Sequence, residues 1–209
     1  MKLKSSSFAD NGPIPAEFAF GKHEPTEHMT LSDNKNPAFS WEGAPDGTQS
    51  FVMICHDIDV PTQLDLVNQE DKVIPASLPR TSFFHWVLGD LPATAKAIEA
   101  GEFSNGVTPK GKPGPEASNG TRQGVNNYTE FMAGNPDMSG TYFGYDGPCP
   151  PWNDEIVHHY IFTLYALDVP RCDVTGQFGG EDVLAAIDGR VLAQAQITGL
   201  YAINPAVTI

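Results

Sequence analysis

The chain has 209 residues, is 40 % hydrophobic and 10 % aromatic, and carries 12 Lys and Arg against 26 Asp and Glu, for a formal net charge of −14. A field of that sign repels phosphate backbones and anionic lipid surfaces, which argues against nucleic acid as a partner. A chain this long buries roughly 70 % of its unfolded surface in one core.

These bounds predict one globular domain over residues 1–209. Cys55, Cys149 and Cys172 are an odd number at no metal-like spacing, which argues against a disulfide framework or a zinc knuckle and fits a reducing compartment. The opening stretch MKLKSSSFADNG lacks the apolar run of a secretory signal, and no segment reaches membrane-spanning length. The expectation is a soluble, cytoplasmic protein with no membrane span.

The first clear element is a turn, Pro45 to Gln49, in which proline presets φ and glycine supplies positive φ. It feeds a strand, SFVMICHDID, from Ser50 to Asp59. The irregular stretch Thr62 to Thr81 leads to a second strand, Phe83 to Pro92. A longer irregular stretch, Gly101 to Gly140, precedes a rigid turn, GPCPPW, and a third strand, VHHYIFTLYALDV. All three strands are apolar on both alternate sets of side chains, which means a sheet covered on both faces. GEDVLAAIDGRVLAQAQITGLYAI then predicts a helix over Glu181 to Asp188, with a further turn toward Leu192, and a last strand ending at Tyr201. The chain is therefore mainly β, a β-sandwich with one or two short helices, and its two long irregular segments are candidate lids.

On an extended strand, neighbouring side chains point to opposite faces. His158 should therefore share a face with Tyr160 and Phe162, and His159 the other face with Ile161 and Thr163. The same rule puts Asp57 and Asp59 on one side and His56 on the other, at a rim ended by Pro61. The candidate site is the set Asp57, Asp59, His85, His158 and Tyr160, at strand ends beside the proline turn. As a zinc site it lacks ligand spacing. As a nucleophilic site it lacks a G-x-S-x-G elbow, and Cys149 has no activating surroundings. As an anion pocket it fits better, because imidazoles gain charge when a phosphate or carboxylate enters. The carboxylates would then orient the histidines or meet an ammonium group on the same ligand.

The motifs DIDVP, HWVLGDLP and GYDGPCPPWNDEIVHHYIFTLYALD, in this order, resemble the phosphatidylethanolamine-binding protein family in its prokaryotic Raf kinase inhibitor-like branch. NPAFSW, PDGTQSF and ITGLYA extend the resemblance over nearly the whole chain. It implies a β-sandwich of that type, with a small pocket at one end for phosphate, acetate or a phosphorylated head group. It places the aspartate pair on Asp57 and Asp59, the pocket histidine on His85, the loop on Gly147 to Pro151 with Gly147, Pro150 and Pro151 at the ligand, and the last pair on His158 and Tyr160. The chain departs from the family's pattern at Asn36, at Ile58 and in Trp152-Asn153-Asp154-Glu155.

The resulting expectation is a non-enzymatic binding protein with no metal and no cofactor. Its ligand is a small anionic or zwitterionic molecule such as phosphoethanolamine. His85 and His158 donate to an anionic oxygen, Tyr160 and loop amides add hydrogen bonds, and Asp57 holds a histidine or meets a cation. Two other readings stand beside it: a protein-interaction module that inhibits a protease or kinase through the long loops, and a hydrolase of phosphoesters or acyl esters. A homodimer is also open.

Overall fold

The computed structural model describes residues 1–209. Its strands, in chain order, are β1 (Lys2–Ser5), β2 (Gly12–Pro13), β3 (Gly21–Glu24), β4 (His28–Leu31), β5 (Phe39–Glu42), β6 (Ser50–Pro61), β7 (Arg80–Pro92), β8 (Ala97–Ile98), β9 (Gly111–Lys112), β10 (Arg122–Gln123), β11 (Thr141–Tyr142), β12 (His158–Leu167) and β13 (Val191–Tyr201). Two short α-helices accompany them, α1 (Tyr128–Phe131) and α2 (Gly180–Ala186).

The three strands expected to be buried on both faces lie side by side. The main sheet runs β10-β7-β6-β12-β13-β2, and β1-β5-β8 form a smaller sheet. On one face of the main sheet, Met53, Cys55, Phe162 and Leu164 meet Phe39 and Trp41 of the small sheet. The Phe39 and Phe162 rings lie 4.9 Å apart. On the other face, Val52, Ile54 and Val87 meet Phe178, Val183 and Ile187 in and around α2. Each such apolar side chain contributes roughly 1.5–3 kcal/mol by leaving water, so alternate residues of the same strand are stabilised by two different layers.

Helix α2 overlaps the expected span but begins one residue earlier and ends at Ala186, and the Asp182 carboxylate accepts the Gly179 N–H at 2.8 Å to hold its first turn. The further turn toward Leu192 does not form. Gly189 takes positive φ after the helix, and Val191 already begins β13. The second helix is instead α1, inside the stretch expected to be irregular. That stretch also contributes β10 to the edge of the main sheet, pairing Arg122 with Gly89.

Register breaks aim the site. Cys55 faces Trp86, but His56 faces Phe84, so His85 is the extra residue of a bulge in β7. Asp57 faces Phe83 and Val60 faces Thr81, so β6 carries an extra residue just after Asp57. Bulges bend a strand and re-aim its side chains, and both of these fall at the same end of the sheet.

Candidate ligand-binding site

At that end lies a cavity of about 100 Å³, beneath the Cys149–Pro151 turn and between the Val60–Asn68 stretch and α1. This volume would hold several water molecules or a group of phosphate size. Asp57, His85, His158 and Tyr160 form its polar floor. Its walls are apolar, from side chains such as Met29, Leu64, Val67, Phe83 and Phe131. Pro150 and Pro151 also line it, whereas Gly147 lies behind it. A side chain at Gly147 would run into the Phe18 carbonyl, so the glycine allows two backbone segments to touch.

His85 is buried, and its Nδ1–H donates to the Asp146 carbonyl at 2.7 Å, while the Asp146 N–H donates to the His85 carbonyl at 3.0 Å. Its ring stands edge-on to Tyr128 at 5.5 Å and to Tyr160 at 5.1 Å. Burial lowers its pKa below the ordinary histidine value, opposed in part by the charges of Asp57 and Asp146. Its Nε2 has no partner within the protein. The fully buried Tyr160 hydroxyl has no partner at normal hydrogen-bond distance either, but it lies near Asp57: burial first, then the Asp57 charge and a looser contact with that carboxylate, push its ionisation well up.

His158 is equally buried, but both its ring nitrogens are engaged. Nδ1 meets Asp57 Oδ2 at 2.7 Å and Nε2 meets Asp154 Oδ2 at 3.2 Å. Asp154 is in turn held by Arg80, through Nη1 at 2.5 Å and Nη2 at 3.0 Å. Burial alone would lower the His158 pKa, but the two carboxylates outweigh it and raise it to about 9. The same contacts hold Asp57 and Asp154 below the usual carboxylate value against the upward push of burial. His158 therefore has no N–H left for a ligand, contrary to the expectation that it donates to an anion.

Asp59 also departs from expectation. The extra residue after Asp57 turns its side chain off the floor, and its Oδ2 accepts from the His159 backbone N–H and meets His159 Nδ1, each at 2.8 Å. Its own N–H donates to Asp57 Oδ1 at 2.8 Å, closing a local turn. The two aspartates thus hold two histidines that point to opposite faces, as strand alternation requires.

Loop amides contribute less than expected. Gly147 donates to Asn34 Oδ1 at 2.8 Å, Trp152 donates to Asn68 Oδ1 at 3.1 Å, and the prolines have no N–H. Within Gly147–Trp152 only the Cys149 amide remains unengaged. The Cys149 thiol packs against Gly21, and burial raises its pKa to about 12, so it is held protonated. No group of three or more His, Cys, Asp or Glu side chains is placed to hold a metal ion.

Several residues of the site carried no signal in the sequence. Asn153 ties the Thr62–Thr81 stretch over the cavity, donating to Leu66 O at 2.9 Å and Lys72 O at 3.0 Å and accepting from Asn68 N at 3.0 Å. Asp146 accepts from Asn34 and Asn126, each at 2.8 Å, and pairs with Lys112 at 3.0 Å. Desolvation lowers the Lys112 pKa, although Asp146 pulls it upward. An isolated Arg80 after Pro79 in so acidic a chain is the one sequence feature that could have pointed to a buried partner.

Among families of known proteins, the one described as phosphatidylethanolamine-binding protein matches residues 4–202. A UPF0098 protein of Methanothermobacter thermautotrophicus is 31 % identical over 201 residues, covering 96 % of this chain and 98 % of that protein. The UPF0098 protein YbhB of Escherichia coli is 30 % identical over 202 residues, covering 96 % of this chain and 99 % of that one. Among solved structures, Escherichia coli YbcL, described as a member of the mammalian PEBP family, superposes with a TM-score of 0.69 at 23 % identity. That match covers 96 % of this chain and 97 % of YbcL. The Chlamydia trachomatis homologue CT736 gives 0.64 at 24 % identity, over 96 % of this chain and 95 % of that one. No helix in the structure is long and apolar enough to cross a membrane.

Proposed function

The chain belongs to the phosphatidylethanolamine-binding protein family, and from that premise we propose that it is a cytoplasmic, non-enzymatic binding protein whose ligand is a phosphate, a carboxylate or a phosphorylated head group such as phosphoethanolamine. One observation carries this reading: His85 Nε2 and the Tyr160 hydroxyl, both on buried side chains without a protein partner, converge on one cavity beside the Asp57 carboxylate. Buried polar groups are nearly always satisfied, so a pair left open at a cavity floor suits a polar ligand.

In this reading Tyr160 donates to an oxygen of the head group, His85 closes on it through Nε2, and Asp57 meets the ammonium of a zwitterion. The apolar walls accommodate the carbon substituent. Leu64 and Phe131 are about half exposed at the rim and would lie along it. The protonated Cys149 thiol supports a binding role over nucleophilic catalysis.

Calorimetric titration with phosphoethanolamine tests the reading. A hydrogen bond to a charged group is worth about 1.5–3 kcal/mol, so His85→Ala should weaken binding by about 10- to 150-fold. Equal affinity in the variant would remove His85 from the site, and absence of saturable heat in the wild type would remove the ligand class.

A further inference from the structure

The hydrogen-bond polarity of the floor restricts how an anion can enter it. A carbonyl oxygen only accepts, so the bond from His85 to Asp146 O fixes the neutral ring as the Nδ1–H tautomer. Nε2 then faces the cavity as a lone pair. Around it most of the other hydrogens are already engaged. Both nitrogens of His158 face carboxylates, and Gly147 and Trp152 donate to asparagines. What remains for a ligand is neutral: the Tyr160 hydroxyl on the floor, the Asn68 side-chain amide at the wall, and the Cys149 amide and thiol at the turn.

The charges are also balanced before anything binds. Asp57 and Asp154 are matched by His158 and Arg80, and Asp146 by Lys112. An oxyanion brought against the floor would therefore meet one lone pair, one carboxylate and no uncommitted cation. The groups that face the His85 ring come from every element around it: Asp57 from β6, His158 and Tyr160 from β12, Tyr128 from α1, and Asp146 from the segment before Gly147. None can supply the missing positive charge, because the one cation among them is already paired twice.

The geometry points to proton-coupled binding: an anion enters this cavity together with one proton from solvent, which His85 Nε2 takes up, so that the imidazolium bridges the ligand oxygen and the Asp146 carbonyl. This rests on the head-group reading of the cavity. The only bonds that change are to hydrogen: an N–H bond forms at Nε2 as the proton donor in solution gives one up. The proton comes from water or buffer and returns there when the ligand leaves. The ligand class follows as an oxyanion that accepts from an imidazolium, and affinity becomes a function of pH. Burial holds the empty site's His85 below the ordinary histidine value, so the ring starts neutral near pH 7. Between the free and the ligand-bound pKa, affinity falls about tenfold per pH unit as pH rises. Below the free value it is flat.

The test uses probes that do not titrate in this range, dimethyl phosphate and glycerophosphoethanolamine. Titrations are run from pH 6 to 8 in buffers of different ionisation heat, which count the protons taken up. The expected maximum is about one proton per ligand in the wild type and in His56→Gln, a histidine outside the cavity, and none in His85→Gln. Long-range proton–nitrogen NMR of the wild type provides a readout without any variant. His85 Nε2 should pass from unprotonated to protonated as ligand saturates, while His158 stays protonated at both nitrogens. Saturable binding with no proton uptake, or with Nε2 still bare, would overturn the inference and leave the head-group reading standing. Uptake that persists in His85→Gln would overturn it as well. No saturable binding of either probe would overturn both.

Discussion

The two histidines on the cavity floor sit about equally deep, yet the protein holds them in opposite states. His85 meets a carbonyl, which imposes a tautomer but adds little charge, so burial wins and the ring stays neutral. His158 meets two carboxylates, and their combined attraction overcomes the same burial. The comparison teaches that depth alone does not decide the protonation of a buried histidine. The number of formal charges within hydrogen-bond reach decides it. It also divides the floor into an open half, whose polar groups lack protein partners, and a closed half that holds the wall together.

The most severe way to break the closed half is Asp154→Ala, which leaves Arg80 and His158 each short of a carboxylate in a buried place. Losing one member of a buried ion pair costs about 3–5 kcal/mol, so the urea midpoint should drop sharply. A loss below about 1 kcal/mol would mean that the network contributes little to stability.

The halves should also respond oppositely to pH. His158 has a folded pKa of about 9, above the ordinary value near 6.5. Its contribution is therefore fully present below the unfolded pKa and is lost as pH rises toward the folded one. Integrated over that interval, the loss is roughly 3 kcal/mol. His85 runs the other way, because its folded pKa is lowered. Its contribution is present above the ordinary value and is lost as pH falls through the folded one. Unfolding free energies measured between pH 5 and 9 should decline at both ends, and a flat alkaline side would contradict the closed state of His158.

The smallest expected effect sharpens the open half. Tyr160→Phe removes a buried hydroxyl with no partner, so stability should stay level or rise by up to about 1 kcal/mol while phosphoethanolamine affinity falls. A clear loss of stability would show that the hydroxyl has a partner in the folded protein.

Much of this frame was legible in local patterns. The three buried strands, the helix near Glu181 and the opposition of His158 and His159 all follow from side-chain periodicity, which depends only on neighbouring residues. The choice of His85 and Tyr160 came from collecting polar groups at strand ends, and the resemblance carried the membership and assigned them to a pocket. What failed was the reading of direction and partner. Asp59 was paired with Asp57 by simple alternation, and an extra residue undid that alternation. Asp154 stood in plain view four residues before His158, but a loop has no period from which its direction can be read.

The sequence by itself determined the long central strands, which of their faces are apolar and which family pattern the chain carries, because these are properties of spacing. The tertiary structure alone decided that Arg80 reaches Asp154, 74 residues away, that Lys112 is buried against Asp146, and that His158 is closed while His85 is open. Those outcomes depend on bulges and on the approach of distant backbone. A hydrogen bond needs a partner within about 3 Å, a distance that no local spacing encodes.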